Sequence, residues 1–191
     1  MSGNQAMLEQ LLEESGAILR GHFKLTSGRH SDVYFEKFRV LENPAALSAL
    51  CREIAERFAG QADIVAGPTT GGIIIAFEVA RQMGVSAIYV ESEDGVKTLR
   101  RNAVIPAGSR VLVVDDVLTT GLSVQETMDA VSRFGGTVAG VGVLIDRSSQ
   151  SLDFGVPFFA AYQVQAQSWA QDEVPDWLSA IPVAKPGTRS Q

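Results

Sequence analysis

The chain has 191 residues, 46% of them hydrophobic and 20% charged, with sixteen Lys and Arg against twenty-two Asp and Glu for a net charge of -6. That length fits one well-buried domain and hardly two, and the composition excludes a disordered chain. The acidic balance excludes a general nucleic-acid binder with a basic footprint over the whole fold, while leaving room for a small anion held by a few local cations or backbone N–H groups. Within residues 4–15, Met7, Leu8, Leu11 and Leu12 share one face and predict an amphipathic helix. The same stretch is acidic and has no apolar core of signal-peptide length. From Gly21 to Leu41, aromatics mix with alternating polar residues, which predicts short strands or an extended hood. A clear helix follows, with Asn43 suited to the N-cap, Pro44 to the first turn and Gly60 to the stop. Its core face carries Leu47, Leu50, Cys51, Ile54 and Phe58. Cys51 is the single cysteine, so an intrachain disulfide and a cysteine-cluster metal site are excluded; it reads as a small buried residue in a reducing compartment.

From residue 62 the pattern becomes strand, loop, helix, repeated. Residues 62–66 predict a strand, 67–72 (GPTTGG) a loop, 73–83 a helix stopped by Gly84, and 86–91 a second strand. The polar segment 92–102, SEDGVKTLRRN, reads as the one mobile loop in the middle of the chain. Residues 110–116 predict a continuous apolar strand, 117–121 a loop, 122–134 a helix and 137–146 another strand. Strands apolar on both faces and alternating with helices indicate an α/β fold with a parallel sheet covered on both sides. The last dozen residues, rich in Pro, Gly and Ser, read as a surface tail. No apolar run approaches the roughly 18 residues that span a bilayer. The expectation is a soluble, cytoplasmic, single-domain protein.

The most informative stretch is VLVVDDVLTTG, Val111 to Gly121. A buried strand delivers Asp115 and Asp116 to its carboxyl end, where open parallel sheets bind ligands. The following turn, with two hydroxyls and a glycine, leads into a helix whose N-terminus aims N–H groups and positive potential at one spot, a natural cradle for a phosphate. The neighbouring acids would repel that phosphate. Their own partners are then vicinal sugar hydroxyls or a hydrated cation, which together with the cradle suggests a ribose phosphate. Read alone, the two acids could equally cap the next helix. A second strand-to-helix loop, Gly67 to Gly72, has glycines that allow close backbone approach to an anion. Neither His22 nor His30 has the spacing of a metal site, and His30 is a candidate for lining the active site.

The eleven-residue string resembles the phosphoribosyl-pyrophosphate (PRPP) motif of the type I phosphoribosyltransferases. That resemblance implies one domain over residues 1–191, with a small N-terminal hood at about 16–41 joined by the C-terminal segment and a core at about 42–160. It implies that Asp115 and Asp116 hold the ribose hydroxyls, and that Val117, Leu118, Thr119, Thr120 and Gly121 surround the 5-phosphate. Thr69, Thr70, Gly71 and Gly72 are similar to the family's pyrophosphate loop. Phe23, Leu25, Ser27, Gly28, Ser31 and Tyr34 match the hood of the orotate phosphoribosyltransferases. The implied orotate contacts are Lys24, Thr26, Tyr34 and Phe35 in the hood, with Thr119 and Arg147 in the core; a guanidinium suits a carboxylate. The chain departs from the family pattern at Thr26 and Gly71, where lysines are common. Its loop 92–102 lacks histidine and offers only Lys97, Arg100 and Arg101 as cations, of which Lys97 and Arg101 are the catalytic candidates. The implied activity is transfer of ribose 5-phosphate from PRPP to orotate, with Mg2+ carried by PRPP rather than by direct protein ligands, in a homodimer free of nucleic acid and membrane. A phosphoribosyltransferase for another base, or an inactive PRPP-sensing regulator, is the alternative.

Overall fold

The structure, a computed structural model, describes residues 3–25, 27–99, 103–148, 151–164 and 167–184. The chain forms two compact units, one of residues 1–43 and 164–191, the other of residues 44–163. The first unit opens with α1 (Gly3–Glu14), which buries Leu8 and Leu12. An antiparallel pair follows, β1 (Ile18–Lys24) and β2 (His30–Phe35), with Ile18 opposite Phe35 and Lys24 opposite His30. The predicted short strands are therefore present, but the stretch ends in a short helix, α2 (Lys37–Leu41), that its aromatic and charged composition hid. Glu36 caps this helix by accepting from the Phe38 N–H at 3.3 Å.

The second unit opens with α3 (Pro44–Arg57), followed by β3 (Ile64–Pro68), α4 (Gly71–Met83), β4 (Ser86–Glu93) and β5 (Val96–Leu99). It continues with β6 (Arg110–Leu118), α5 (Leu122–Arg133), β7 (Thr137–Asp146) and β8 (Phe158–Gln163). Six strands form one sheet in the order β5-β4-β3-β6-β7-β8. All neighbours are parallel except β4 and β5. The expected α/β fold with a parallel central sheet is what the chain adopts. Every residue of β3 is buried, as is β6 from Val111 to Asp116, which is why both read as continuous apolar runs. Val111 and Val113 join Val124, Met128 and Val131 of α5 in one core cluster. Among the described residues no helix is long and apolar enough to cross a membrane.

Several boundaries correct the sequence reading. Residues 92–99 form a strand hairpin rather than a loop: β4 turns directly into β5 at Asp94 and Gly95, both with positive φ (51° and 80°). An Asp-Gly pair is a strong two-residue hairpin signal, and its charged flanks masked it. Leu99 anchors the hairpin in the core. The segment 117–121 is not wholly a loop either, since Val117 and Leu118 extend β6 opposite Ile145 and Asp146. The loop 67–72 shrinks to Thr69 and Thr70, because β3 runs to Pro68 and α4 starts at Gly71. Strand β8 lacks alternation at an edge and was not anticipated. The remaining elements belong to the first unit: β9 (Ser168–Trp169), a 3-10 turn at Gln171–Glu173, α6 (Asp176–Ser179) and β10 (Val183–Ala184). β10 pairs with β1, so this part of the expected tail is tied down, while residues 185–191 lie outside the described ones.

Close packing of α3 on β7 explains two glycines in the strand. A Cβ at Gly140 would sit 2.4 Å from the Phe58 ring, and one at Gly142 would sit 2.5 Å from Ile54 Cγ2. Both partners are fully buried and cannot swing away. Gly140→Ala should therefore lower stability by about 1–3 kcal/mol, the usual cost of overpacking. Phe58→Leu in the same chain should recover part of that loss. Thermal denaturation of the two single variants and the double checks it, and purely additive losses would show that the contact is not the cause.

Candidate active site

The strands β3, β6, β7 and β8 run parallel, so Pro68, Leu118, Asp146 and Gln163 end at one edge of the sheet. Asp115 and Asp116 arrive there from inside the core, only 7% and 8% exposed. Each folds back on the next residue: Asp115 Oδ1 accepts from the Asp116 N–H at 2.8 Å, and Asp116 Oδ1 from the Val117 N–H at 2.7 Å. Burial pushes the Asp115 carboxyl above its ordinary pKa, and the charge of Asp116 adds to the effect. The Asp116 N–H, the Ser123 hydroxyl and the charge of Lys97 pull in the other direction. Two acids so short of water are well matched to hydroxyl donors, which supply hydrogen bonds without the cost of another buried charge.

Beside the acids, Thr119 and Thr120 are exposed, and Gly121 has φ 81°. A Cβ at Gly121 would come 3.0 Å from Leu152 Cδ1 and 3.3 Å from the Phe154 ring, so backbone conformation and space both call for glycine. The Leu122 N–H donates to Thr120 Oγ1 at 3.4 Å, and the Gln125 N–H to the Gly121 carbonyl at 2.9 Å, opening α5. The twelve-residue α5 thus directs its N-terminus at the turn that follows the acids. The other predicted anion loop is pinched by its glycines. A Cβ on Gly67 would lie 2.1 Å from the Gly72 carbonyl oxygen, and one on Gly72 would lie 2.5 Å from Pro68 Cδ. That contact brings the exposed Thr69 and Thr70 onto a tight corner, with a cis peptide between them and the Thr69 N–H bonded to the Val90 carbonyl at 2.9 Å.

Lys97, on β5, is close enough for its charge to act on Asp115. Arg133 at the end of α5 donates to the Lys97 carbonyl at 3.1 Å and holds the hairpin there. Arg147 follows β7, half-buried, and its N–H donates to the Leu118 carbonyl at 2.9 Å. The second unit therefore gathers the two acids, both anion loops and Arg147 at one sheet edge. In the first unit, Lys24 and Tyr34 are half-buried and Phe35 is only 5% exposed, which leaves Tyr34 the more accessible ring. Thr26, Arg100 and Arg101 lie outside the described residues. His22 and His30 meet each other, Nε2 to Nδ1 at 2.6 Å, with His22 Nδ1 3.1 Å from the Ile181 carbonyl. Ser123 was missed by sequence reasoning; its only signal is a hydroxyl in the first turn after the glycine.

Residues 39–154 match the phosphoribosyl transferase domain family. An orotate phosphoribosyltransferase from Pelotomaculum thermopropionicum is 51% identical over 180 residues, which are 94% of this chain and 95% of the relative. Another, from Heliobacterium modesticaldum, is 45% identical over 193 residues and covers 100% of both chains. Among solved structures, orotate phosphoribosyltransferase from Aeropyrum pernix superposes with a TM-score of 0.70 at 30% identity, over 83% of this chain and 94% of that one.

The raised pKa of Asp115 has a consequence for stability. A carboxyl easier to protonate when folded costs the native state stability wherever it is ionised, and the cost disappears below the ordinary value of 3.8. Asp115→Asn should therefore stabilise the fold at pH 7 by about 1 kcal/mol, the common scale when a site residue is relieved of its burden. The gain should shrink as pH falls toward 3. Denaturation midpoints of the two proteins across that range check the sign.

Proposed function

We infer that this chain, which belongs to the phosphoribosyltransferase family, works as an orotate phosphoribosyltransferase in pyrimidine biosynthesis, moving ribose 5-phosphate from PRPP to N1 of orotate and releasing pyrophosphate. The relatives with that name, matched along nearly the whole chain, supply the substrates. The observation that carries the reading is the pairing of two buried carboxylates with an exposed Thr-Thr-Gly turn at the start of α5. Asp115 and Asp116 accept hydrogen bonds from the ribose diol, and the turn at Thr119, Thr120 and Gly121 takes the 5-phosphate. The corner at Thr69 to Gly72 takes the pyrophosphate.

As the bond from the anomeric carbon to pyrophosphate breaks, that carbon gains oxocarbenium character, as in glycoside cleavage. The electron pair leaves with pyrophosphate, and the lone pair of N1 forms the new bond. Orotate can be anionic at N1, so stabilising the leaving charge matters more than a strong base. Backbone at residues 69–72 and the cation of Lys97 serve that end. Arg147 and Thr119 are assigned to orotate; Lys24, Thr26, Tyr34 and Phe35 join them on resemblance alone.

Among the described residues no three His, Cys, Asp or Glu side chains assemble as metal ligands. A magnesium ion would then be carried by the oxygens of PRPP rather than by direct protein ligands, as magnesium commonly is. When bound, it neutralises charge on the departing pyrophosphate. A homodimer, by resemblance, and a cytoplasmic location, in keeping with the single buried thiol of Cys51, complete the proposal.

Ultraviolet absorbance of orotate, with purified protein, PRPP and magnesium, tests the activity directly. Orotate should be consumed, while uracil, hypoxanthine and adenine should not. Consumption of another base instead would overturn the substrate, and consumption of none would overturn the enzyme. Asp116→Asn should lower kcat about 100-fold with an unchanged circular dichroism spectrum. Light scattering should give a dimer mass; a fully active monomer would refute the assembly.

A further inference from the structure

The carboxylate of Asp146 has no role in the reaction described above, yet it is only 6% exposed at the last residue of β7. Its Oδ1 accepts from the Ser148 N–H at 2.8 Å and from the Ser148 hydroxyl at 2.7 Å. Its Oδ2 accepts from Gln163 Nε2, at the end of β8, at 3.4 Å. The bond from the Ser148 N–H closes a side-chain turn whose middle residue is Arg147. Arg147 is thus bracketed: its own N–H is fixed to Leu118 on β6, and the residues on either side are joined through one carboxylate.

A cavity of about 370 Å³ borders this clamp, lined by Leu118, Asp146, Leu152, Phe158 and Gln163 among others. Side-chain packing is therefore incomplete at the ends of β6, β7 and β8, and hydrogen bonds set the geometry there. Bonds to an ionised acceptor are about twice as strong as neutral ones, which favours a carboxylate in that position.

We propose that Asp146 is a positioning residue for base recognition: it fixes the main chain at Arg147 so that the guanidinium meets the carboxylate of orotate. The proposal rests on the assignment of Arg147 to orotate. A residue that only tied β7 to β8 would matter equally for every nucleotide, whereas a positioning residue matters only where the carboxylate is present. Orotidine 5-phosphate carries that carboxylate and uridine 5-phosphate lacks it.

Calorimetric titration of both nucleotides separates the two cases. Asp146→Ala should weaken orotidine 5-phosphate about tenfold, since small misplacements of a gripping group cost that much or more. Uridine 5-phosphate should bind as before, and Asp146→Asn, which keeps an acceptor for Ser148, should recover most of the loss. In an Arg147→Ala background, Asp146→Ala should have no further effect. Equal weakening of both nucleotides, or losses that multiply in the double variant, would overturn the proposal. Should Asp146→Ala fail to fold, Asp146→Leu, which keeps the volume and removes both acceptor oxygens, decides: a selective loss for orotidine 5-phosphate supports the clamp, and an unchanged preference refutes it. An Arg147→Ala single variant that keeps its preference for orotidine 5-phosphate would remove the assignment of Arg147 itself, and the clamp with it.

Discussion

Two adjacent carboxylates held almost out of water at the end of a buried strand are the constraint around which the second unit is arranged. Ionised acids in that position are unfavourable unless hydrogen-bonded, and Asp115 and Asp116 find first partners in the backbone N–H groups of the next residues. Ser123 and the charge of Lys97 relieve Asp115 further. What remains is acceptor capacity in a partly desolvated setting, where a sugar hydroxyl gains more from a hydrogen bond than it would in water.

The rest of the fold serves to bring backbone, rather than side chains, close to that pair. Gly67 and Gly72 touch main chain to main chain, and Gly121 takes a left-handed conformation against Leu152 and Phe154. Both strand-to-helix turns thereby reach the same sheet edge as the acids. Further from the site, Gly140 and Gly142 let α3 lie against β7, the strand that ends at Asp146, just before Arg147. These close approaches differ in what they meet: Gly67 faces the main chain of Gly72, whereas Gly140 and Gly142 face the side chains of Phe58 and Ile54.

Much of this was legible beforehand because the relevant signals are local. The acids, the Thr-Thr-Gly turn and the helix after it occupy one uninterrupted string, and the apolar runs at 110–116 and 137–146 marked β6 and β7. The hairpin at Asp94 and Gly95 was hidden by its polar surroundings, since composition pointed to a loop while the turn dipeptide pointed to paired strands. The Asp146 clamp was not fully readable: Ser148 is a local partner two residues on, but Gln163 is brought to Asp146 by the pairing of β7 with β8, a strand the pattern did not reveal. The meeting of His22 with His30 likewise depends on the register of β1 and β2, which no spacing rule supplies.

The central claim is geometric: the acids at the end of β6 hold a ribose diol while the turn before α5 holds its phosphate. A crystal structure with PRPP and magnesium bound addresses it most directly. The account predicts both ribose hydroxyls within hydrogen-bond distance of Asp115 and Asp116, with the 5-phosphate against the backbone of Thr119 to Gly121. A ribose bound elsewhere, or a 5-phosphate seated at Thr69 to Gly72 instead, would contradict it.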